Sequence, residues 1–95
     1  MKITKSIALK QAKKIKLDLD VIPLDIWTAA LNIELEHGKK LGSFTNVTND
    51  NINLTTKIAV AHLLESPNYY QKLIKLEQSL EKYWEKRKKP SIFKQ

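Results

Sequence analysis

Apolar side chains recur every three to four residues along most of the chain, the spacing typical of amphipathic helices. The pattern is interrupted between Asp18 and Pro23, from Gly38 onward, and at Ser66-Pro67. It predicts helices over about residues 4–19, 23–37, 55–65 and 68–88. Period-two alternation is absent over any useful length, so no strand pair is predicted. The pattern therefore predicts an all-α fold, a small bundle of about four helices.

Residues at the breaks predict where the helices begin and end. Pro23 suits the first turn of the second helix, and Gly38 is expected to take the left-handed conformation that closes it. Thr55 or Thr56 is the predicted N-cap of the third helix. Residues 58–64 of that helix are apolar on nearly every side, which predicts a buried, central position.

The segment between the second and third helices, about residues 39–54, predicts one long ordered loop. It is rich in Ser, Thr, Asn and Asp, whose side chains bond nearby backbone and favour turns. Loops of this length in a compact domain are usually functional or held by their own contacts. Phe44, Val47, Ile52 and Leu54 are the predicted apolar anchors.

Length and composition limit the class of protein. Ninety-five residues predict a single helical domain over 1–95, with a flexible basic tail over about 88–95. The absence of cysteine excludes disulfides, thiolate metal sites and a cysteine nucleophile. Lysines interrupt the apolar positions of the N-terminus, so neither a signal peptide nor a membrane span is predicted. We expect a soluble, intracellular protein without a membrane partner.

The net charge of +7 is concentrated at both ends of the chain. Residues 1–20 carry six lysines against two acids, and residues 67–95 carry eight bases against three acids. We therefore expect an acidic protein or virion component to bind the ends, with nucleic acid as a possible partner. A role in solubility alone is the alternative. The predicted contacts are Lys10, Lys13, Lys14, Lys86, Arg87, Lys88 and Lys89.

Several ionisable residues fall on apolar helix faces. Helical spacing places Glu34 and His37 on the face that carries Trp27, whereas Glu36 falls nearer the solvated side. The same spacing gives a core-facing set of Glu34, His37, His62, Glu65 and Glu77. A buried carboxylate without a partner costs several kcal/mol, so these groups must pair, take up protons or bind a cation.

Two interpretations of this set remain open. One is a hydrogen-bond network that ties the helix ends to the loop. The other is a divalent metal site formed by Glu34, His37, His62, Glu65 and Glu77, since Glu-x-x-His on one helix and His-x-x-Glu on another resemble carboxylate-bridged dinuclear sites. One motif is reversed and one carboxylate is missing, so a mononuclear site of two His and one carboxylate fits better. No other cofactor is predicted.

Catalysis by a His and Glu pair is a weaker alternative. The sequence contains no nucleophile elbow, phosphate loop or glycine-rich cofactor turn. No catalytic residue is assigned, and a non-enzymatic protein is expected.

Four stretches, ELEHG (34–38), TNVTND (45–50), TKIAVAHLLESPNYY (56–70) and Leu73 with Glu77, together resemble domain-of-unknown-function family 5661. This small helical family occurs in tailed phages, large DNA viruses and some bacteria. The resemblance covers about residues 24–77 and implies a viral or phage setting but no known activity. Asn51 stands where family members tend to carry an acid, which weakens a cation site in the loop. The residues that match are Glu34, Glu36, His37, Asn46, Thr48, Asp50, His62, Glu65, Tyr69, Tyr70 and Glu77.

The resemblance implies that helix ends and loop form one assembly, which we call the polar junction: Glu34, His37, Asn46, Thr48, Asp50, His62, Glu65, Tyr70 and Glu77. The sequence predicts a basic, non-enzymatic helical accessory protein of a virus or phage, located in the virion or host cytoplasm. It would bind an acidic protein, virion or nucleic-acid surface. The alternative is a metal-binding or catalytic helical domain. Oligomeric state is not predicted.

Overall fold

The computed structural model describes residues 1–94, and within them the secondary structure is helical with no strand. The four α-helices are α1 (Lys5–Ile15), α2 (Leu24–Glu34), α3 (Ile52–Glu65) and α4 (Tyr69–Trp84). Two short 3-10 turns, Leu35–His37 and Lys39–Leu41, follow α2. Helix α2 packs against α1, α3 and α4, and α3 also packs against α4. The predicted small all-α bundle is confirmed.

Helix α1 is capped at both ends. The Thr4 side chain accepts a hydrogen bond from the backbone N of Ile7. At the other end Lys16 has a left-handed backbone (φ 57°), and the N of Leu17 donates to the carbonyl of Ala12 over 2.9 Å. This is a Schellman ending. It closes α1 four residues before the predicted end at residue 19.

The core is built around α2, because that helix contacts each of the other three. Trp27 is fully buried, and its indole N–H donates to the Ala8 carbonyl over 2.9 Å. The side-chain oxygen of Asn32 accepts from the backbone N of Ile3, and its side-chain nitrogen donates to the carbonyl of Ile3. These two bonds fix the segment before α1. The buried apolar residues are Ile3, Ala8, Ala12, Ile22, Trp27, Ala30, Leu31, Leu35, Ala59, Leu63 and Tyr70.

The predicted start of α3 at Thr55 or Thr56 is wrong. Asn51 is the N-cap, and its side-chain oxygen accepts from the backbone N of Asn53 and of Leu54. Asparagine has a side-chain oxygen well placed to satisfy these exposed N–H groups, so the helix begins three residues earlier. The threonines are buried inside it, and the hydroxyl of Thr56 donates to the side chain of Gln11.

Helix α3 is not the central buried helix that its apolar run predicted. Ala59 and Leu63 are buried, but Leu64 is 82% exposed. The helix lies at the edge of the bundle and buries one face only. The apolar residues of α3 therefore extend around more of the helix than the face that packs against the core.

Helix α4 packs mainly through its first turns. Tyr70 is fully buried, whereas Leu76, Leu80 and Tyr83 are each about half exposed. The molecule is correspondingly elongated, with extents of 46 × 27 × 23 Å. The predicted apolar stripe of α4 is therefore only partly a core surface.

The tail predicted over residues 88–95 is described up to residue 94; residue 95 lies outside the described residues. The ring of Phe93 meets that of Phe44 edge to face at 5.7 Å between centroids. None of the helices within residues 1–94 combines the length and apolar character that crossing a membrane requires.

The loop after α2 is ordered mainly by polar contacts, and only one of the predicted apolar anchors packs against the core. Phe44, Val47 and Leu54 are exposed, whereas Ile52, in the first turn of α3, is partly buried against the core. The carbonyl of His37 instead accepts from the backbone N of Val47 and of Thr48, over 2.7 and 3.0 Å. The loop is thereby tied back to the end of α2.

Candidate functional site

A buried carboxylate lies where α2, α3 and α4 meet. Glu34 is the last residue of α2 and is only 2% exposed. Tyr70, in the first turn of α4, donates its hydroxyl to Oε2 of Glu34 over 3.0 Å. A buried carboxylate needs such a partner, and this bond supplies one.

Two imidazoles flank the same carboxylate on opposite oxygens. Nε2 of His37 lies 3.6 Å from Oε1 of Glu34, and Nε2 of His62 lies 3.5 Å from Oε2. These separations exceed those of ordinary hydrogen bonds, which are 2.7 to about 3.2 Å for a nitrogen donor. The carboxylate is therefore approached by both rings without being hydrogen-bonded to either.

Glu36 also belongs to this group, although the sequence placed it nearer the solvated side. Its Oε1 lies 3.9 Å from Nε2 of His37. Residues 35–37 form a 3-10 turn, which has three residues per turn instead of 3.6 and so changes the direction of each side chain. The sequence did not indicate this change. We call Glu34, Glu36, His37, His62 and Tyr70 the Glu34 cluster.

His62 is held by aromatic stacking. Its ring lies parallel to that of Tyr69, with centroids 4.3 Å apart and planes inclined by 8°. Tyr70 meets the same imidazole edge to face at 6.2 Å. Nδ1 of His62 is buried without a hydrogen-bond partner among the described residues, and Oε2 of Glu65 is 3.8 Å from it. The stack holds the ring in place, and neither ring nitrogen has a hydrogen bond among the described residues.

The turn after the cluster depends on Gly38 and Asp50. Oδ1 of Asp50 accepts from the backbone N of Lys39 over 2.9 Å. A Cβ on Gly38 would collide with this Oδ1 and lie 3.0 Å from the backbone N of Asp50. Gly38 has φ −101°, so the predicted left-handed conformation is wrong. Close approach of the loop, not a positive φ, is what requires glycine here.

The other members of the polar junction do not contact Glu34 through hydrogen bonds or ion pairs among the described residues, although the backbone N of Thr48 bonds to the carbonyl of His37. Asn46 bonds within the loop, where its Oδ1 accepts from the backbone N of Asn49. Thr48 is 3% exposed and its Oγ1 has no partner among the described residues. The side chain of Glu65 is 70% exposed, so its predicted core-facing position is wrong.

Glu77 is half-buried, and no hydrogen bond or ion pair joins it to the cluster within residues 1–94. The predicted set of Glu34, His37, His62, Glu65 and Glu77 thus separates into an inner group and two outlying carboxylates. Of this set, Glu34, His37 and His62 come together.

The Glu34 cluster alters the titration of Tyr70 and of the neighbouring Tyr69. Burial raises the pKa of Tyr70 far above its usual value, and the neighbouring Glu34 carboxylate raises it further by charge and by accepting its hydrogen bond. Burial and Glu34 also raise the pKa of Tyr69. Both phenols are therefore protonated at neutral pH, and Tyr70 acts as a hydrogen-bond donor.

Free positive charge is exposed near both ends of the chain. All seven predicted partner contacts, Lys10, Lys13, Lys14, Lys86, Arg87, Lys88 and Lys89, are exposed. Arg87 lies over the Tyr83 ring at 4.3 Å and donates to the Tyr83 carbonyl. Lys14 donates to the side chain of Asn53. Neither contact neutralises the charge.

Comparison with known proteins identifies one family. A family model described as a protein of unknown function (DUF5661) matches residues 4–79. The match includes α1, which the resemblance over residues 24–77 had excluded. No curated protein and no solved structure is significantly similar to the chain.

Proposed function

We propose that this chain, which belongs to the DUF5661 family of proteins of unknown function, has a non-enzymatic role. It binds an acidic surface of another protein. The binding surface is α4 together with the basic residues that follow it. The protein would act as an accessory component of a phage or virus.

The observation that carries this proposal is the absence of internal charge pairing. Within residues 1–94, no charged side-chain nitrogen of a lysine or arginine lies within 4.0 Å of a carboxylate oxygen; the four ion pairs present all involve histidine. The net charge of +7 is therefore not used to stabilise the fold through direct ion pairs. Unpaired surface cations attract and orient an acidic partner.

The exposed stripe of α4 favours a protein as the partner rather than nucleic acid. Leu73, Leu76, Leu80 and Tyr83 follow one another at spacings of three and four, which places them on one side of the helix. The last three are about half exposed. A phosphate backbone offers no apolar surface to cover leucines, whereas an amphipathic helix does.

Charged residues border the stripe on its two sides. Helical spacing places one set, Lys72, Lys75, Lys82 and Lys86, along one edge, and Glu77, Glu81 and Glu85 along the other. Arg87, Lys88 and Lys89 follow Lys86 directly and add three consecutive bases at the end. The partner that fits is an amphipathic helix whose acidic residues lie beside the lysine edge and the basic end.

The test uses two labelled probes, an acidic amphipathic helical peptide and a scrambled peptide of the same composition. We expect the amphipathic peptide to bind at least about tenfold more tightly, and its affinity to fall by about tenfold between about 50 and about 300 mM salt. Fluorescence anisotropy measures both. Equal binding of the two peptides, or binding indifferent to salt, would contradict the proposal.

Matched leucine variants locate the surface. Leu76→Ser with Leu80→Ser should weaken peptide binding by about tenfold, because both side chains belong to the stripe. Leu64→Ser is the control, since Leu64 is a more exposed leucine on α3. Replacing Lys10, Lys13 and Lys14 by Gln tests whether α1 contributes. A duplex DNA probe that binds as tightly as the peptide and ignores the leucine changes would replace the protein partner by nucleic acid.

A further inference from the structure

We infer that Glu34, Glu36 and His37 form a binding site for one divalent cation of the zinc class. This site lies at the end of α2 and includes no residue of the exposed stripe of α4. The inference is independent of the proposed partner binding, and either can fail without the other.

The first argument is the spacing of the ligand atoms. One carboxylate oxygen from each glutamate and one imidazole nitrogen lie within 4.8 Å of one another. Oε1 of Glu34 is 3.6 Å and Oε1 of Glu36 is 3.9 Å from Nε2 of His37. Two atoms bound to one zinc ion at about 2.0 to 2.1 Å can be at most about 4.2 Å apart, and about 3.4 Å apart in a tetrahedron. Shifts below about 1 Å would complete the site.

The second argument is the hydrogen bond on the other side of the carboxylate. Tyr70 occupies Oε2 of Glu34, and Oε1 is the oxygen that faces His37. Ligand carboxylates in metal sites are held in this way by neighbouring hydrogen-bond donors, which fix the free oxygen toward the ion.

The third argument is what the carboxylate lacks in the absence of a cation. Glu34 is buried, yet the imidazoles on either side are too distant for a hydrogen bond. Its hydrogen bond from Tyr70 occupies Oε2 and leaves Oε1 without a donor among the described residues. A cation at Oε1 would neutralise the charge of this carboxylate and draw His37 and Glu36 into direct contact with it.

The donor types select the ion. One imidazole nitrogen and two carboxylate oxygens suit Zn²⁺, Co²⁺ and similar transition metals, whereas Ca²⁺ and Mg²⁺ prefer oxygen donors throughout. His62 approaches Oε2, not Oε1, and so acts on the ligand rather than on the ion. We assign it as a positioning residue that supports Glu34.

The test is cobalt and zinc titration of the full chain, purified without a histidine tag. Tetrahedral Co²⁺ absorbs visible light, and Zn²⁺ displaces it. We expect one cobalt ion per chain, displaced by one equivalent of zinc, with zinc raising the melting temperature. If the titration shows no binding, or binding without a defined stoichiometry, up to about 1 mM metal, the inference is wrong.

Variants separate ligands from bystanders. His37→Gln and Glu36→Gln should each lower cobalt affinity by at least about tenfold, and Tyr70→Phe should lower it by about ten- to a hundredfold through Glu34. His62→Gln should lower it by less than about tenfold. Glu65→Gln is the matched control, because Glu65 is an exposed carboxylate beside His62 that lies outside the ligand group.

His37 and Glu36 are half-exposed, so their replacement leaves the buried core intact and the test does not depend on Glu34 variants. Circular dichroism verifies that each variant is folded. If the double variant Glu36→Gln/His37→Gln binds cobalt as the unmodified chain does, the ion is held elsewhere and the inference is wrong. If Glu65→Gln weakens binding as much as His37→Gln, the assigned ligand set is wrong.

Discussion

The hydroxyl of Tyr70 donates a 3.0 Å hydrogen bond to the carboxylate of Glu34, although 36 positions separate the two residues in the sequence. Both side chains are buried, Tyr70 completely and Glu34 to within 2%. The bond joins the end of α2 to the start of α4. It therefore couples the packing of α4 to the state of a single carboxylate.

Removing this hydroxyl should destabilise the fold. Tyr70→Phe leaves the Glu34 carboxylate buried without its hydrogen-bond donor, which should lower the free energy of unfolding by about 1–3 kcal/mol. Urea denaturation followed by circular dichroism measures this change. Tyr69→Phe is the control, because it keeps the ring stacked on His62 and is expected to cost less than about 0.5 kcal/mol. Equal losses in the two variants would contradict the assigned role.

Alkaline pH should lower the free energy of unfolding, and part of this loss should depend on Tyr70. The pKa of Tyr70 is raised above its ordinary value of 10.0 by burial and by Glu34, so the folded state keeps a proton that the unfolded state releases. The resulting stability is fully present below about pH 10 and falls as pH rises further, by up to about 1.4 kcal/mol per pH unit.

Urea denaturation between about pH 8 and pH 11 tests this dependence. The slope should be shallower in Tyr70→Phe than in the unmodified chain. Lysine titration affects both proteins alike and cancels in the comparison. Identical slopes would show that Tyr70 does not titrate differently in the two states.

Gly38 should tolerate no side chain. In Gly38→Ala the new Cβ would collide with the Asp50 carboxylate, whose bond to the Lys39 backbone would be lost. We expect a loss of about 1–3 kcal/mol in unfolding free energy. Lys40→Ala, two residues away on an exposed position, should change it by less than about 0.5 kcal/mol. A Gly38→Ala protein as stable as Lys40→Ala would show that the loop can move aside.

The end of α1 offers a stabilising change. Lys16 takes a left-handed backbone conformation (φ 57°), which costs free energy in every residue except glycine. Lys16→Gly should therefore raise the unfolding free energy by about 0.5–1 kcal/mol. Lys10→Gly, inside α1, should instead lower it by about 1 kcal/mol. Thermal unfolding of both variants gives the two signs; a loss in both would contradict the Schellman ending.

The helices could be predicted from the sequence because their apolar spacing and proline breaks are local signals. Pro23 and Pro67 precede α2 and α4 closely in the structure. The start of α3 was misplaced because Asn51, Thr55 and Thr56 all have the chemistry of an N-cap. The structure rules out the two threonines as N-caps because their hydroxyls bond elsewhere. Thr55 donates to the Asn51 carbonyl, and Thr56 donates to Gln11 of α1.

The candidate site was predictable only in part, for a related reason. Helical spacing correctly placed Glu34 inside, because one face of α2 is apolar along its length. It failed for Glu65, since α3 is apolar on faces that it does not bury, and burial there depends on which helix occupies the centre. Glu36 was correctly placed toward solvent, but His37, predicted to face the core, is about equally exposed, because a change from α to 3-10 geometry after Glu34 is a tertiary effect without a local signature.

The indole of Trp27 gives the protein an internal optical probe. That ring is fully buried against α1, whereas Trp84 lies half-buried at the end of α4. The two chromophores therefore experience different polarity, and a Trp84→Phe chain would emit from the centre of the bundle alone. Its emission would distinguish fraying of the last turns of α4, which leaves the signal unchanged, from loss of the entire tertiary structure.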